Sequence, residues 1–149
     1  MNTTTINPVL EIKRTLDAPP QAVFDAWMNR EEFQAWIGPE GVTCDVPVLE
    51  PRVGGQYRID MKMKDGSTIP VGGTFKAIEE PDRIVFTWGR AGDASWTSLI
   101  TLTLRAVGDK TELTLRHEGL LTEKDREDHG KGWNSALNKL ERYVGRTRT

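Results

Sequence analysis

Several things this chain lacks narrow what it can be. It has a single cysteine, Cys44, so an internal disulfide and a cysteine-rich metal framework are both excluded. With no base identifiable beside it, Cys44 reads as a small buried core residue rather than a nucleophile. There are only two histidines, His117 and His129, on different segments and without a local His-x-x-x-His pair, so no metal site and no cofactor are expected. No apolar run approaches the roughly eighteen residues of a membrane span, and "MNTTTINP" lacks the charged and apolar regions of a signal peptide. A soluble cytoplasmic protein without membrane contact is the expectation. Neither sign of charge dominates: 20 lysines and arginines face 22 acids, for a net charge of -2. The basic residues are interleaved with acids, which argues against a nucleic-acid binder. The basic "GRTRT" at the end is short and reads as a frayed tail. Phosphate-loop, serine-elbow and zinc-protease motifs are absent, and the pairs Gly54–Gly55 and Gly72–Gly73 lack the strand-to-helix setting of a dinucleotide fingerprint. They read as bends in strands.

What is present suits one compact domain over 1–149, with a core from about 9 to 144: 37% of the residues are hydrophobic and 28% charged. "VLEIKRTL" alternates as a strand and is stopped by "DAPP". Val23, Phe24, Trp27, Phe33 and Trp36 then recur at helical steps with a polar break at Asn29 and Arg30, giving two short helices. Six strand-like segments follow, at about 42–49, 55–64, 68–78, 83–90, 95–106 and 110–118, with hairpin signals in "KDGS" and "VGDK". Such tight successive turns favour antiparallel pairing. Last comes an amphipathic helix, opened by a capping box at Thr122 and Asp125 and carrying Trp133, Leu137, Leu140 and Val144 on one face to about Val144.

Alternation puts Tyr57, Ile59, Met61 and Met63 on one side of their strand and Arg58, Asp60, Lys62 and Lys64 on the other. Ile84, Phe86 and Trp88, then Trp96, Ile100, Leu102 and Leu104, then Leu113, Leu115 and His117 follow the same rule. An α+β fold results, in which a curved seven-stranded antiparallel sheet needs a cover for its apolar face and the last helix supplies it. Inward residues are large and aromatic toward one region, including Tyr57, Phe75, Phe86, Trp88, Trp96 and Trp133. The methionines Met61 and Met63 can repack around varied shapes. Within the last helix, Gly130 and Gly132 each cost about 1 kcal/mol relative to alanine. Either they let the helix press on the sheet, or they leave room beside Trp133 as the wall of a cavity.

The segments "VFDAWMNREEFQAWIGPEG", "PRVGGQYRIDMKMKDGS", "RIVFTWG", "TELTLRHEGL" and "HGKGW", in that order, resemble the bacterial domain family named after the activator of the heat-shock chaperone ATPase, within the SRPBCC or START-like superfamily. The resemblance runs from about Val9 to Val144. It implies a helix-grip fold, with the long C-terminal helix gripping a curved sheet around a hydrophobic cavity. It also implies several functions, because superfamily members bind lipids or polyketides and some catalyse cyclisation or dehydration. In eukaryotic chaperone activators a similar domain is one part of a larger protein, and this chain has no room for the additional chaperone-binding domain.

The expected function is therefore binding of a hydrophobic or amphipathic small molecule in a cavity between sheet and helix. Its expected lining is Trp36, Tyr57, Ile59, Met61, Phe75, Phe86, Trp88, Trp96, Ile100, His117, Trp133 and Leu137. One alternative is an enzyme acting on such a ligand, with His117 as general acid or base rather than a hydrogen-bonded residue at the sheet's end. Another is an interaction module that stimulates a chaperone ATPase, with the chaperone as partner. His129, four residues before Trp133, faces either the cavity entrance or solvent. Arg14 shares parity with Leu10, Ile12 and Leu16, so it either anchors an acidic ligand group or covers the sheet edge with its stem while its guanidinium reaches water.

Overall fold

A computed structural model describes residues 8–92 and 96–147. The chain runs through β1 (Leu10–Leu16), α1 (Pro20–Met28), α2 (Arg30–Trp36), β2 (Thr43–Leu49), β3 (Gln56–Lys62), β4 (Thr68–Glu79), β5 (Arg83–Arg90), β6 (Ser98–Val107), β7 (Lys110–Glu118) and α3 (Glu123–Thr147). The strands form one curved antiparallel sheet in the order β1-β7-β6-β5-β4-β3-β2, with α3 as its cover. Because β1 and β2 are opposite edges, α1 and α2 carry the chain from one side of the sheet to the other.

Local chemistry explains the element ends. Pro20 opens α1 where its missing N–H is no loss. Asn29 ends α1 and caps α2, its side-chain oxygen accepting from the Glu32 N–H at 3.0 Å. In edge strand β2, Pro47 lies within an irregularity between Asp45 and Val48, a position where a residue without an N–H is tolerated. Thr122 caps α3 by accepting from the Asp125 N–H at 3.0 Å. The helix continues to Thr147, three residues past the expected end, and of the expected 95–106 strand residue 95 lies outside the described residues while Trp96 and Thr97 precede β6, which starts at Ser98.

The expected faces of β3 hold at Tyr57 and Ile59, both buried, and at Arg58 and Lys62, both exposed. Asp60 departs from expectation: it is half-buried because the Arg58 Nε donates to it at 2.8 Å and folds over it. Across β6 and β7 the inward residues stand opposite one another, as Ile100↔His117, Leu102↔Leu115 and Leu104↔Leu113. From α3, Trp133, Ala136, Leu137, Leu140 and Val144 complete the same core.

Between β4 and β5 the ladder is interrupted without a change of register: pairing is regular at Val71↔Arg90 and Gly72↔Gly89 and resumes in the same register at Phe75↔Phe86, and the shift by one residue comes after it, between Phe75 and Ala77. Side chains occupy the space between: the Thr74 N–H donates to Thr87 Oγ1 at 2.8 Å, and the Tyr57 hydroxyl donates to the Thr87 carbonyl at 2.5 Å. Burial pushes the Tyr57 pKa well above its ordinary value, so the phenol stays a donor.

Two clasps hold α3. Arg14 Nη1 donates to Asn138 Oδ1 at 2.9 Å and to Glu141 Oε2 at 2.8 Å, and its Nη2 reaches Asn134. The guanidinium, partly exposed, ties β1 to α3. At the other edge, Lys139 Nζ donates to the carbonyls of Ile37 and Gly38 at 3.3 and 3.2 Å. The Glu40 N–H donates to Ser135 Oγ at 2.8 Å, and Arg142 pairs with Glu40. These bonds hold the α2–β2 loop to the helix.

Candidate functional site

The α2–β2 loop, β3, β4, β5 and α3 border a partly open cavity of about 530 Å³, within the size range of small-molecule sites. Ile37, Gly38 and Pro39 form one wall, Met61, Met63, Ile69, Val71 and Trp88 the sheet side, and Asp128, His129, Gly132, Trp133 and Ala136 the helix side.

Of the residues expected to line it, Met61, Trp88 and Trp133 do. Tyr57, Phe75 and Phe86 lie instead around a separate void of only about 10 Å³, room for little more than one water molecule. The reason is Trp27 of α1, whose ring stands 4.6 Å from Trp36, 6.2 Å from Phe86 and 6.0 Å from Trp133, centroid to centroid, and fills that half of the interior. Trp36, Ile59, Ile100 and Leu137 are fully buried, and Trp36 donates its indole N–H to the Ala26 carbonyl at 2.9 Å. Trp96 stands at the margin, its indole N–H on the Gly119 carbonyl at 3.0 Å and its ring 6.0 Å from His129.

Sequence reading missed the loop residues Ile37, Gly38 and Pro39, for which no periodic signal exists. It also left out Ile69 and Val71, which share the inward parity of Phe75, and Ala136, three residues after Trp133 on the helix. Those two signals were available. His129 and Gly132, raised as possible neighbours of the cavity, line it.

The two glycines of α3 prove to be different. A Cβ on Gly132 would meet nothing within 4 Å, whereas one on Gly130 would lie 3.4 Å from Leu10 Cδ1, an ordinary contact. Gly132 borders the cavity and Gly130 packs on β1. Gly132→Ala is therefore expected to raise unfolding stability by up to about 1 kcal/mol through helix propensity, and Gly130→Ala to be no more stabilising than that. Urea melts of both variants check this; a destabilised Gly132→Ala would contradict open space at that position.

His117 is fully buried. Ser98 Oγ donates its one proton to the Trp88 carbonyl at 2.7 Å, so at the 2.7 Å contact with His117 it must accept from Nε2–H. Nδ1 in turn accepts from the Trp133 indole N–H at 3.2 Å. This wiring fixes the neutral, Nε2-protonated tautomer. A second proton would sit on Nδ1 against the indole N–H. Burial, and then the neighbouring His129, lower the His117 pKa to about 3. A serine–histidine contact that could suggest nucleophilic catalysis thus has the proton on the wrong nitrogen for a base. What the network does is hold Trp88 and Trp133, the two indoles of the cavity wall, which lie 4.9 Å apart.

His129 is half-buried at the cavity mouth, 5.0 Å from the His117 ring. Its Nδ1 contacts the Asp125 carbonyl at 2.8 Å. A carbonyl oxygen only accepts, so Nδ1 carries the proton and Nε2 of the neutral ring keeps its lone pair. Cys44 is buried beneath the α2–β2 loop, and burial pushes its thiol pKa up, away from the reactive thiolate. Among the described residues no three potential metal-ligating side chains converge, and no helix is long and apolar enough to cross a membrane.

Comparison with solved structures returns the same architecture. A Chromobacterium violaceum protein is 27% identical, with a TM-score of 0.84 over 91% of this chain and 96% of its own. The AHSA1 protein of Silicibacter pomeroyi is 25% identical, with a TM-score of 0.79 over 93% and 98%. A Staphylococcus epidermidis protein, 23% identical with a TM-score of 0.81 over 99% and 95%, shares the fold. No curated protein matches the chain. The family model described as "Activator of Hsp90 ATPase homolog 1-like protein" matches residues 17–145, from the end of β1 through nearly all of α3. With its helix-grip fold and that match over most of its length, the chain belongs to the activator of Hsp90 ATPase homolog 1-like family.

Proposed function

We propose that this protein binds a hydrophobic or amphipathic small molecule in the cavity between the sheet and α3. The observation that carries the reading is the lining itself: an apolar space of about 530 Å³ walled by Met61, Met63, Ile69, Val71, Trp88 and Trp133, with Gly132 leaving its helix side open. Methionines adapt to varied shapes, and paired indoles offer broad apolar faces.

The test is titration with an uncharged, environment-sensitive dye such as Nile red. The wild-type protein is expected to take up one dye per chain. Gly132→Leu places a side chain into the cavity and should weaken uptake by about tenfold or more, roughly 1.4 kcal/mol, with no loss in a urea melt. A folded Gly132→Leu protein with unchanged dye affinity would mean that the dye binds elsewhere, and the reading would fail.

The 2.7 Å Ser98–His117 contact is the observation that favours an enzyme acting on such a ligand. Its hydrogen-bond polarity and burial weigh against it as the reacting pair, since both side chains are buried and the shared proton sits on the histidine. Stimulation of a chaperone ATPase rests on the family description alone and would be tested by adding the protein to a chaperone turnover assay.

A further inference from the structure

The cavity's polar groups restrict the kind of molecule it can hold, an argument that rests on the binding reading above. Among the described residues that line it there is no lysine or arginine; the ionisable ones are Asp128 and His129. Asp128 presents a carboxylate, and His129, with Nδ1 committed to the Asp125 carbonyl at 2.8 Å, presents the lone pair of Nε2. Asp128 accepts hydrogen bonds, and so does the neutral ring of His129. The cations nearby are turned elsewhere: Lys139 donates to the carbonyls of Ile37 and Gly38, and Arg142 pairs with Glu40. Lys124 meets Asp128 at 3.3 Å in a pair whose side chains are 81% and 55% exposed. Such an exposed pair is weak and easily exchanged for another cation.

A ligand carboxylate or phosphate drawn into this mouth would lose water and find no lysine or arginine in the lining; the nearest such cation, Lys124, is largely exposed and already faces Asp128, so the anion also approaches a like charge. An ammonium would replace Lys124 beside Asp128, donate toward the neutral His129 ring, and lie in a cavity walled by the indoles of Trp88 and Trp133, whose rings attract cations. We infer that the cavity selects amphipaths with an apolar body and a hydrogen-donating, positively charged amine end, and discriminates against anionic amphipaths such as fatty acids. Asp128 is the specificity-determining residue of this arrangement.

The experiment is displacement of Nile red from the wild-type protein by dodecylammonium, dodecanol and dodecanoate, all below their micellar concentrations and with the fold checked by melting. Dodecylammonium should displace the dye at a concentration about tenfold or more below that needed for dodecanoate, with dodecanol between them. Asp128→Asn, an exposed helix position, should shrink the ammonium-to-carboxylate ratio about threefold or more while leaving dodecanol unchanged. Equal or tighter binding of dodecanoate would overturn the inference, as would an Asp128→Asn protein with the wild-type ratio. Failure of all three probes to displace a dye that responds to Gly132→Leu would also overturn it while leaving the cavity reading standing. Dye uptake indifferent to Gly132→Leu would instead remove the binding reading itself, and this inference with it.

Discussion

On acidification from pH 7 to pH 4 the wild-type protein is expected to lose stability faster than a His117→Gln variant. The sign follows from the shift: the folded His117 pKa is about 3 against an ordinary 6.5, so the unfolded chain takes up the proton first. The stability contributed by neutral His117 is complete above about pH 6.5 and is lost as pH falls toward 3. Each pH unit inside that window costs about 1.4 kcal/mol at most. Two units therefore remove roughly 2–3 kcal/mol, a large share of the stability of a domain this size. Glutamine has both a donor and an acceptor but cannot reproduce the ring's geometry between Ser98 and Trp133. The variant should be less stable at pH 7 by about 1–3 kcal/mol, and the gap should narrow on acidification. It should keep its fold and its dye uptake, because His117 itself does not line the cavity. Urea melts of both proteins across the range decide the matter: parallel stability curves would show that His117 is not the group responsible.

Gly73→Ala is expected to be among the most damaging single-methyl changes in the chain. An added Cβ would lie 2.1 Å from the Thr87 carbonyl oxygen and 2.5 Å from Thr87 Oγ1, a separation that no packing adjustment of a flexible tip can relieve. Those are the two Thr87 atoms that fill the gap between β4 and β5, the carbonyl held by Tyr57 and the hydroxyl oxygen by Thr74. Separating the strands to admit the methyl would break both bonds and leave the buried Tyr57 hydroxyl without a partner. Overpacking of about 1–3 kcal/mol and an orphaned polar group of similar cost combine to roughly 3–5 kcal/mol. Insoluble expression, or a urea midpoint far below wild type, is the expected result. A variant that melts like wild type would mean that the strands can move apart at little cost.

Much of this architecture can be read from local pattern, because the determinants are local. The alternation around Tyr57 and Ile59, the "KDGS" turn and the Thr122 cap each act over a few residues, and each appears where expected. The cavity is harder to read for a physical reason. Periodicity reports that Tyr57, Phe75 and Phe86 point inward, but whether the space they face is empty depends on what a distant element inserts there. Trp27 does so from α1, and its helical spacing could not say how far across the sheet it would reach. The loop wall at Ile37, Gly38 and Pro39 is invisible for a related reason, since it is fixed by Lys139, Ser135 and Arg142 a hundred residues away. His117 shows the limit most clearly. Its inward parity was legible, yet its role depends on which nitrogen carries the proton, and that is decided by Ser98 and Trp133 from two other elements.

The tryptophans also form an optical relay. Trp36, Trp27, Trp133 and Trp88 are joined in series by centroid separations of 4.6, 6.0 and 4.9 Å, short enough for ultraviolet excitation to migrate among the four before any of them emits. The last two of the series form part of the cavity wall. Light absorbed deep beneath α1 and α2 can therefore be emitted, quenched or colour-shifted at the cavity surface. Whatever occupies that surface is read out by the intrinsic fluorescence of most of the protein's indoles, without a label.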